Sequence, residues 1–393
     1  MSAVYLNEMG VVCALGADST TVRAALFGEK AGGVAVRDDV LPGRALHLGT
    51  VTAGLAATEI LPPEMRSRNN ALLLTAYAQI RSGVEVALDR FGAARVGIVL
   101  GTSTSGIGES EIAFAYRKRH GCWPGSFHVA QQELGSPALA LAHVTGAAGP
   151  VSVISTACSS SAKALASAAR WLRAGMCDAV ICGGVDALCA FTVAGFSALE
   201  SVSAARCNPM SANRGGINIG EGGALFLMTR ESGPVCLAGW GETADAYHIS
   251  APDPSGRGAL EAMRIALARA GIHPQQVDYI NLHGTATQQN DAMESKAVHT
   301  LFGGETAASS TKPLTGHTLG GAGALEAAFC WLTLTENPEG RLPPHWWDGI
   351  ADPALAALRL VRPGEQIGRQ PDYALSNSFA FGGSNAALVF GRT

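Results

Sequence analysis

Three side chains in this sequence have the types and placements that nucleophilic chemistry needs. Cys158 stands in Val151-Ser-Val-Ile-Ser-Thr-Ala-Cys158-Ser-Ser-Ser-Ala162, where an apolar strand-like run gives way to a helical pattern. The first turn of a helix presents unpaired N–H groups and a partial positive charge, which favours thiolate over thiol. A cysteine held there falls below its free value of about 8.5 and becomes a nucleophile. His283, in Asn281-Leu-His283-Gly-Thr285-Ala-Thr287, follows another apolar run. His317, in Lys312-Pro-Leu-Thr-Gly-His317-Thr-Leu-Gly-Gly, precedes an alanine-rich one. A solitary histidine so placed is commonly structural. Two of them with a cysteine, all at comparable junctions, fit a nucleophile with attendant bases. Near the end of the chain, Ser376-Asn-Ser-Phe379-Ala-Phe381-Gly-Gly-Ser-Asn385 is a glycine-rich turn with two aromatic residues. It reads either as a tight hairpin or as an oxyanion hole, a backbone N–H aimed at a thioester oxygen under an aromatic cover.

The elements that must position these groups alternate along the whole chain. Short apolar runs at Val96–Leu100, Val151–Ser155, Ala179–Cys182, Leu225–Met228, Tyr279–Leu282, Tyr373–Leu375 and Ala387–Phe390 predict buried strands. Asn70–Val86, Ser159–Ala174, Gly258–Ala270 and Ala322–Thr335 predict helices. In the second helix Ala162, Leu165, Ala166, Ala169 and Leu172 fall on one face. Such alternation predicts α/β layers. The best seam lies near Gly241–Tyr247, giving halves 1–245 and 246–393, and no repeat is visible at the level of identity.

Composition bounds the function. The chain has 393 residues, 47% of them apolar and 15% charged, with 67 alanines and 48 glycines. A chain this apolar buries a large core and excludes disorder, and so many small residues imply close backbone-to-backbone packing. The net charge of −4 gives no global attraction for nucleic acid. No run approaches the roughly 18 apolar residues of a membrane span, and the first residues lack the basic start of a signal peptide. Nine scattered cysteines argue against a disulfide framework. These features read as a cytoplasmic protein with neither nucleic acid nor membrane as partner. Gly101-Thr-Ser-Thr-Ser-Gly106-Ile-Gly108 imitates a phosphate loop but lacks the following Gly-Lys-Ser/Thr. Cys177, Cys182 and Cys189 lack the paired spacing of a zinc site, so no metal is expected.

Taken together and in this order, the Thr-Ala-Cys158-Ser-Ser, His283-Gly-Thr-Ala-Thr, Lys312-Pro-Leu-Thr-Gly-His317 and Asn-Ser-Phe379-Ala-Phe381-Gly-Gly-Ser-Asn segments resemble the elongating β-ketoacyl-acyl-carrier-protein synthases, condensing enzymes of the thiolase superfamily. Asp245-Ala-Tyr-His-Ile-Ser-Ala-Pro252 and Asn218-Ile-Gly-Glu-Gly-Gly223 resemble further family loops, so the likeness covers nearly the whole chain. The resemblance implies a five-layer αβαβα fold of two similar halves, a dimer with itself or with a paralogous subunit, and decarboxylative condensation of an acyl thioester with malonyl-carrier protein. It implies Cys158 as acyl acceptor, and His283 and His317 as hydrogen-bond donors to the extender's thioester oxygen. Lys312 and Glu294 would form a supporting ion pair, and the N–H groups of Cys158 and Phe381 the oxyanion hole. Thr285 and Thr287 would hold the phosphopantetheine arm, with Phe379 beside the substrate. No cofactor of the enzyme's own is implied, because that arm arrives on the acyl carrier protein. The basic groups Arg66, Arg68, Arg117 and Lys118 are candidates for docking this acidic partner.

The sequence departs from the family at several points. Pro209-Met210-Ser211 replaces the frequent Pro-Phe-Asp, Ala286 replaces a glycine, and Ala380 replaces another, which would stiffen a gate. Gln131, Gln132 and Glu133 stand where apolar residues usually reach across the dimer to the acyl pocket. A polar floor there suits short or unsaturated chains, as in polyene-type pathways. Two other readings compete, a thiolase and a non-catalytic chain-length-factor-like subunit. The tail without a cysteine weighs against the first, and Cys158 against the second.

Overall fold

Strands buried along both faces must read as continuous apolar runs, and Val96–Gly101 is buried at every position. Around such strands the computed structural model, which describes residues 3–393, builds two sets of layers. The strands are β1 (Tyr5–Cys13), β2 (Val34–Arg37), β3 (Leu46–Gly49), β4 (Val96–Gly101), β5 (Val151–Ile154), β6 (Ala179–Asp186) and β7 (Gly222–Thr229). They continue with β8 (Val235–Ala244), β9 (Tyr279–Asn281), β10 (Ala307–Ser309), β11 (Arg359–Leu360), β12 (Tyr373–Ala380) and β13 (Ser384–Arg392). The helices are α1 (Ser19–Leu26), α2 (Arg68–Phe91), α3 (Ile107–His120), α4 (Ser136–Thr145) and α5 (Ser160–Arg173). They continue with α6 (Ala190–Ala198), α7 (Arg257–Ala270), α8 (Gln288–Phe302), α9 (Lys312–Thr315) and α10 (Ala322–Leu334).

Two groups of five strands share one pattern. The first runs β5-β4-β6-β7-β1 and the second β10-β9-β12-β13-β8. In each, the first three strands are parallel and the last two are added antiparallel. The groups join through the short pairing of Tyr5 with Cys236 and Leu6 with Val235. The repeat invisible in residue identity is therefore plain in topology. The expected seam at 245 falls at the far end of β8, a strand that pairs along its length with β13.

Helices α5 and α10 form the middle layer and touch strands of both groups. Helix α2 covers the first group outside, and α7 and α8 cover the second, which completes the αβαβα order. Small residues make the middle layer possible. A Cβ on Gly323 of α10 would lie 2.7 Å from the backbone nitrogen of Ala162 on α5, and Ala324 N–H donates to Ser161 Oγ at 2.8 Å. The two helices meet at backbone contact. No helix among the described residues is long and apolar enough to cross a membrane.

Candidate active site

Strand β5 ends just before Cys158, and α5 begins at Ser160. Ala157 between them takes φ 51°, a left-handed turn that sharpens the bend into the helix. Ser160 holds the turn, accepting from Thr156 N–H at 2.8 Å and donating to the Ala157 carbonyl at 2.6 Å. The bend delivers Cys158 Sγ to within 2.9 Å of His317 Nε2. His317 lies between α9 and α10 and is anchored by its own N–H on the Asn218 carbonyl at 2.7 Å.

His283 follows β9. Its N–H and that of Gly284 each donate to the Glu294 carboxylate of α8 at 2.7 Å. Asn377 and Asn290 also donate to this carboxylate. The His283 and His317 rings meet edge to face with centroids 5.3 Å apart, and Phe379 lies 6.3 Å from His283. Lys312 Nζ donates to the His283 carbonyl at 2.5 Å and lies 3.5 Å from its Nδ1. The pairing of Lys312 with Glu294 expected from the family likeness is not formed. The ammonium's ion-pair partner is Glu326, buried on α10, because Glu294 is held by the backbone of the His283 loop. Glu326 had a signal in the sequence: it is the one charged residue in the apolar run Ala322–Leu334, and a charge there needs a partner.

Burial governs the electrostatics. Desolvation, then the Lys312 charge, hold both imidazoles well below their ordinary value, so both are neutral at neutral pH. Burial also pushes the Cys158 thiol up to about 11, against the opposing pull of Lys312 and the Phe381 N–H. The expected depression by the helix N-terminus is outweighed, since Cys158 precedes the first helical residue by two positions and is 6% exposed. Glu294 is raised to about 7 by burial, with the two loop N–H groups pulling the other way.

A cavity of about 340 Å³ opens beside these groups, lined by Cys158, His283, His317, Phe379 and Phe381 and by Thr285 and Thr287. The two threonine hydroxyls lie 3.0 Å apart. Phe381 packs on Phe196 at 5.6 Å between centroids. Ala380 sits at φ −95°, ψ 156°, ordinary extended backbone, so the alanine expected to stiffen the gate imposes nothing special. The left-handed positions are Gly382 and Gly383, at φ 80° and 71°. Ala286 differs: at φ 64° it occupies a conformation that favours glycine.

Other residues read from the sequence lie elsewhere. Gln132 and Glu133 are exposed and lie outside this chain's own cavity, their expected reach being towards the neighbouring subunit's, and Gln132 accepts from Ser110 Oγ at 2.7 Å. Gln131 is buried, but on the carbonyls of Pro63 and Ser126. Arg68 is not free for a partner: its guanidinium grips the fully buried Glu221 in two bonds of 2.5 and 2.8 Å. Arg66 donates to the carbonyls of Leu61 and Glu59. Arg117 lies over the Trp123 ring at 4.5 Å, beside exposed Lys118. The sequence reading also missed Asp186. Fully buried, it accepts from the N–H groups of Ser103, Thr104 and Gly320, tying the imitation phosphate loop to the segment after His317.

The ligand atoms of Cys158, His283 and His317 lie within 4.8 Å of one another, close enough to share a metal ion. The adjacent Lys312 ammonium opposes a cation there, while the same geometry suits a thiol and two proton-handling groups.

Known proteins with this arrangement can be matched along the chain. The family model for the N-terminal domain of β-ketoacyl synthases matches residues 59–233, and that for the C-terminal domain residues 235–345. The 3-oxoacyl-[acyl-carrier-protein] synthase 2 of Staphylococcus aureus (strain COL) is 32% identical, across 98% of this chain and 97% of its own. The protein of the same name from Synechocystis sp. is 32% identical, with 88% of each chain covered. Among solved structures, a ketosynthase (ApeO) in complex with its chain length factor (ApeC) from Xenorhabdus doucetiae matches with 43% identity and a TM-score of 0.94. That match covers 100% of this chain and 98% of the other. A β-ketoacyl synthase from Burkholderia phymatum matches at 26% identity with a TM-score of 0.87. With its paired domains matched and its thiolase-like layers in place, this chain belongs to the β-ketoacyl synthase family.

Proposed function

We propose that the chain catalyses decarboxylative condensation of an acyl thioester with malonyl-acyl-carrier protein, giving β-ketoacyl-carrier protein, carbon dioxide and free carrier. The observation that carries this reading is the contact of Cys158 Sγ with His317 Nε2, with a second neutral imidazole across the same cavity. In the first half-reaction Sγ attacks the carbonyl carbon of the acyl thioester while its proton passes to His317. The tetrahedral oxyanion is met by the N–H groups of Cys158 and Phe381. Its collapse forms acyl-Cys158, and the departing carrier thiolate takes the proton back. In the second half-reaction the malonyl C–CO₂ bond breaks and its electron pair becomes an enolate. Neutral His283, and His317 in its Nε2–H tautomer once Cys158 is acylated, donate hydrogen bonds to the enolate oxygen. The enolate carbon then attacks acyl-Cys158, and the Cys158 thiolate leaves and takes up a proton from solvent to restore the thiol. Losing one such donor costs roughly a hundredfold to a thousandfold in rate. Thr285 and Thr287, in the lining of the same cavity, hold the phosphopantetheine arm that the carrier brings, and the enzyme needs no cofactor of its own.

The working unit is a dimer. Among the described residues, strand β5 is a sheet edge paired only with β4, and Val151 on it is exposed. On α3 and the loop after it, Ile112, Phe114 and Trp123 are also exposed, an apolar face that a second subunit would cover. The higher identity to the ketosynthase solved with its chain length factor, 43% against 32% for the 3-oxoacyl-carrier-protein synthases, supports a heterodimer in a polyketide- or polyene-type pathway. The test is mass spectrometry of Cys158 after incubation with a panel of acyl-carrier proteins, followed by malonyl-carrier protein. Acylation of Cys158 and release of β-ketoacyl-carrier protein support the reading, and a protein that never acylates refutes it. A chain-length-factor-like role would give that second outcome.

A further inference from the structure

The two backbone N–H groups assigned to the oxyanion hole belong to segments far apart in sequence, and something must fix their separation. Cys158 lies at the start of α5, whereas Phe381 lies in the turn between β12 and β13. That turn contains Gly382 and Gly383, both left-handed, and a Cβ on Gly382 would meet nothing within 4 Å. On one side the turn is held by the 245–249 segment: Gly382 N–H donates to the Ile249 carbonyl at 2.8 Å and the Gly383 carbonyl accepts from Asp245 N–H at 2.9 Å. On the side of the nucleophile the hold comes from the next residue. Ser384 Oγ accepts from Lys163 Nζ at 2.6 Å and lies 3.1 Å from Ser159 Oγ, which donates to it or to the Thr156 carbonyl. Ser159 directly follows the nucleophile and is fully buried, and Lys163 lies one turn further along the same helix. Lys163 is half-buried, yet its ammonium is directed at a neutral hydroxyl. The neighbouring carboxylate, Glu242, is held by Arg170. A charge-assisted bond is about twice as strong as a neutral one.

We infer that Lys163 is a positioning residue: through Ser384 it ties the Phe381 turn to the nucleophile's helix and so sets the spacing of the two oxyanion-hole donors. The inference rests on the condensing activity proposed above. It concerns only the acyl-transfer half-reaction, because the enolate is handled by His283 and His317, which the junction does not touch. A shift of about 1 Å in such a donor can cost up to a hundredfold.

The two half-reactions separate the possibilities. Hexanoyl-pantetheine reports acylation of Cys158 by intact-protein mass spectrometry, and malonyl-pantetheine reports decarboxylation by release of carbon dioxide. Neither probe carries an acidic carrier, so loss of the Lys163 charge cannot act through docking. In Lys163→Met and in Ser384→Ala the ratio of acylation to decarboxylation rate is expected to fall tenfold or more. The double variant should be no more than about twofold worse than either single, since both remove one junction. Ser384→Thr, which keeps the hydroxyl, should restore the ratio. Equal falls in both half-reactions, an unchanged ratio, or multiplicative effects in the double variant would overturn the inference. A wild-type protein inert to both probes would instead refute the condensing activity itself.

Discussion

The two halves of this protein offer the same addresses to different chemistry. Strands β5 and β10 occupy corresponding edges of their groups, and each leads into a helix of the middle layer. After β5 the chain places a thiol, and after β10 an imidazole; the two meet at 2.9 Å where the halves face each other. The next strands inward, β4 and β9, also correspond. The loop after β9 carries His283, while the loop after β4 carries only Thr102, Ser103 and Thr104. Both loops are held by a buried carboxylate accepting backbone N–H groups, Glu294 in one and Asp186 in the other. The comparison teaches that position comes from the duplicated scaffold and reactivity from one residue at each address. A loop can keep its carboxylate anchor while presenting no reactive group.

The sharpest way to break the comparison is to empty one address. Cys158→Ala should abolish β-ketoacyl product while malonyl-carrier protein still loses carbon dioxide, measured in parallel on one preparation. Full condensation in that variant would remove Cys158 from the mechanism. Next in size is the buried pair that braces the second half. Glu326→Gln leaves the Lys312 ammonium without its charge partner and should cost about 3–5 kcal/mol of stability in urea unfolding. Lys312→Met combined with Glu326→Leu should recover most of it. An unaltered midpoint in Glu326→Gln would show that the pair carries no structural weight.

The two histidines should then part company. Both His283→Ala and His317→Ala should slow decarboxylation by roughly a hundredfold to a thousandfold. Only His317→Ala should also slow acylation of Cys158, since only His317 touches the sulfur. Identical profiles would erase the distinction between the addresses. The thiol itself supplies a pH test. With its value raised to about 11, little thiolate exists at neutrality, and alkylation by iodoacetamide should climb about tenfold per pH unit up to that region. A plateau near pH 8 would mean that the site stabilises the thiolate after all. The smallest effect concerns the carrier. Arg117→Glu should raise KM for acyl-carrier protein a few-fold, less so in high salt, and leave pantetheine substrates untouched. Arg68→Glu should lower the melting temperature instead, because it breaks the bond to Glu221.

Much of this arrangement was legible in the sequence because local pattern determines it. Apolar runs marked β4, β5, β6, β9 and β12, and the motif residues Cys158 and His283 follow two of them, β5 and β9. The strands β1 and β8 were not legible. Tyr5–Cys13 carries Asn7 and Glu8 in its middle, and Val235–Ala244 is broken by two glycines, so neither shows a clean period. Both are strands because long antiparallel pairings hold them, β1 with β7 and β8 with β13. The Lys312 partner was misread for a related reason. The family likeness pointed to Glu294, but pairing is decided by packing, and the buried carboxylate that faces Lys312 is Glu326 of α10. The duplication was invisible in residue identity and was expected only from the family likeness, since corresponding strands share an environment and not a residue pattern.

The crossing of α5 and α10 has a consequence for how the chain can fold. Each helix serves as the inner wall of both halves, and their contact at Ala162 and Gly323 leaves no room for solvent. A fragment ending before β8 would expose the inner face of α5, and one beginning at β8 would expose that of α10. Either half alone would therefore leave an apolar helix face uncovered, however alike their topologies are. Cys158 and His317 come from different halves, so their contact forms only where the two halves are packed on each other.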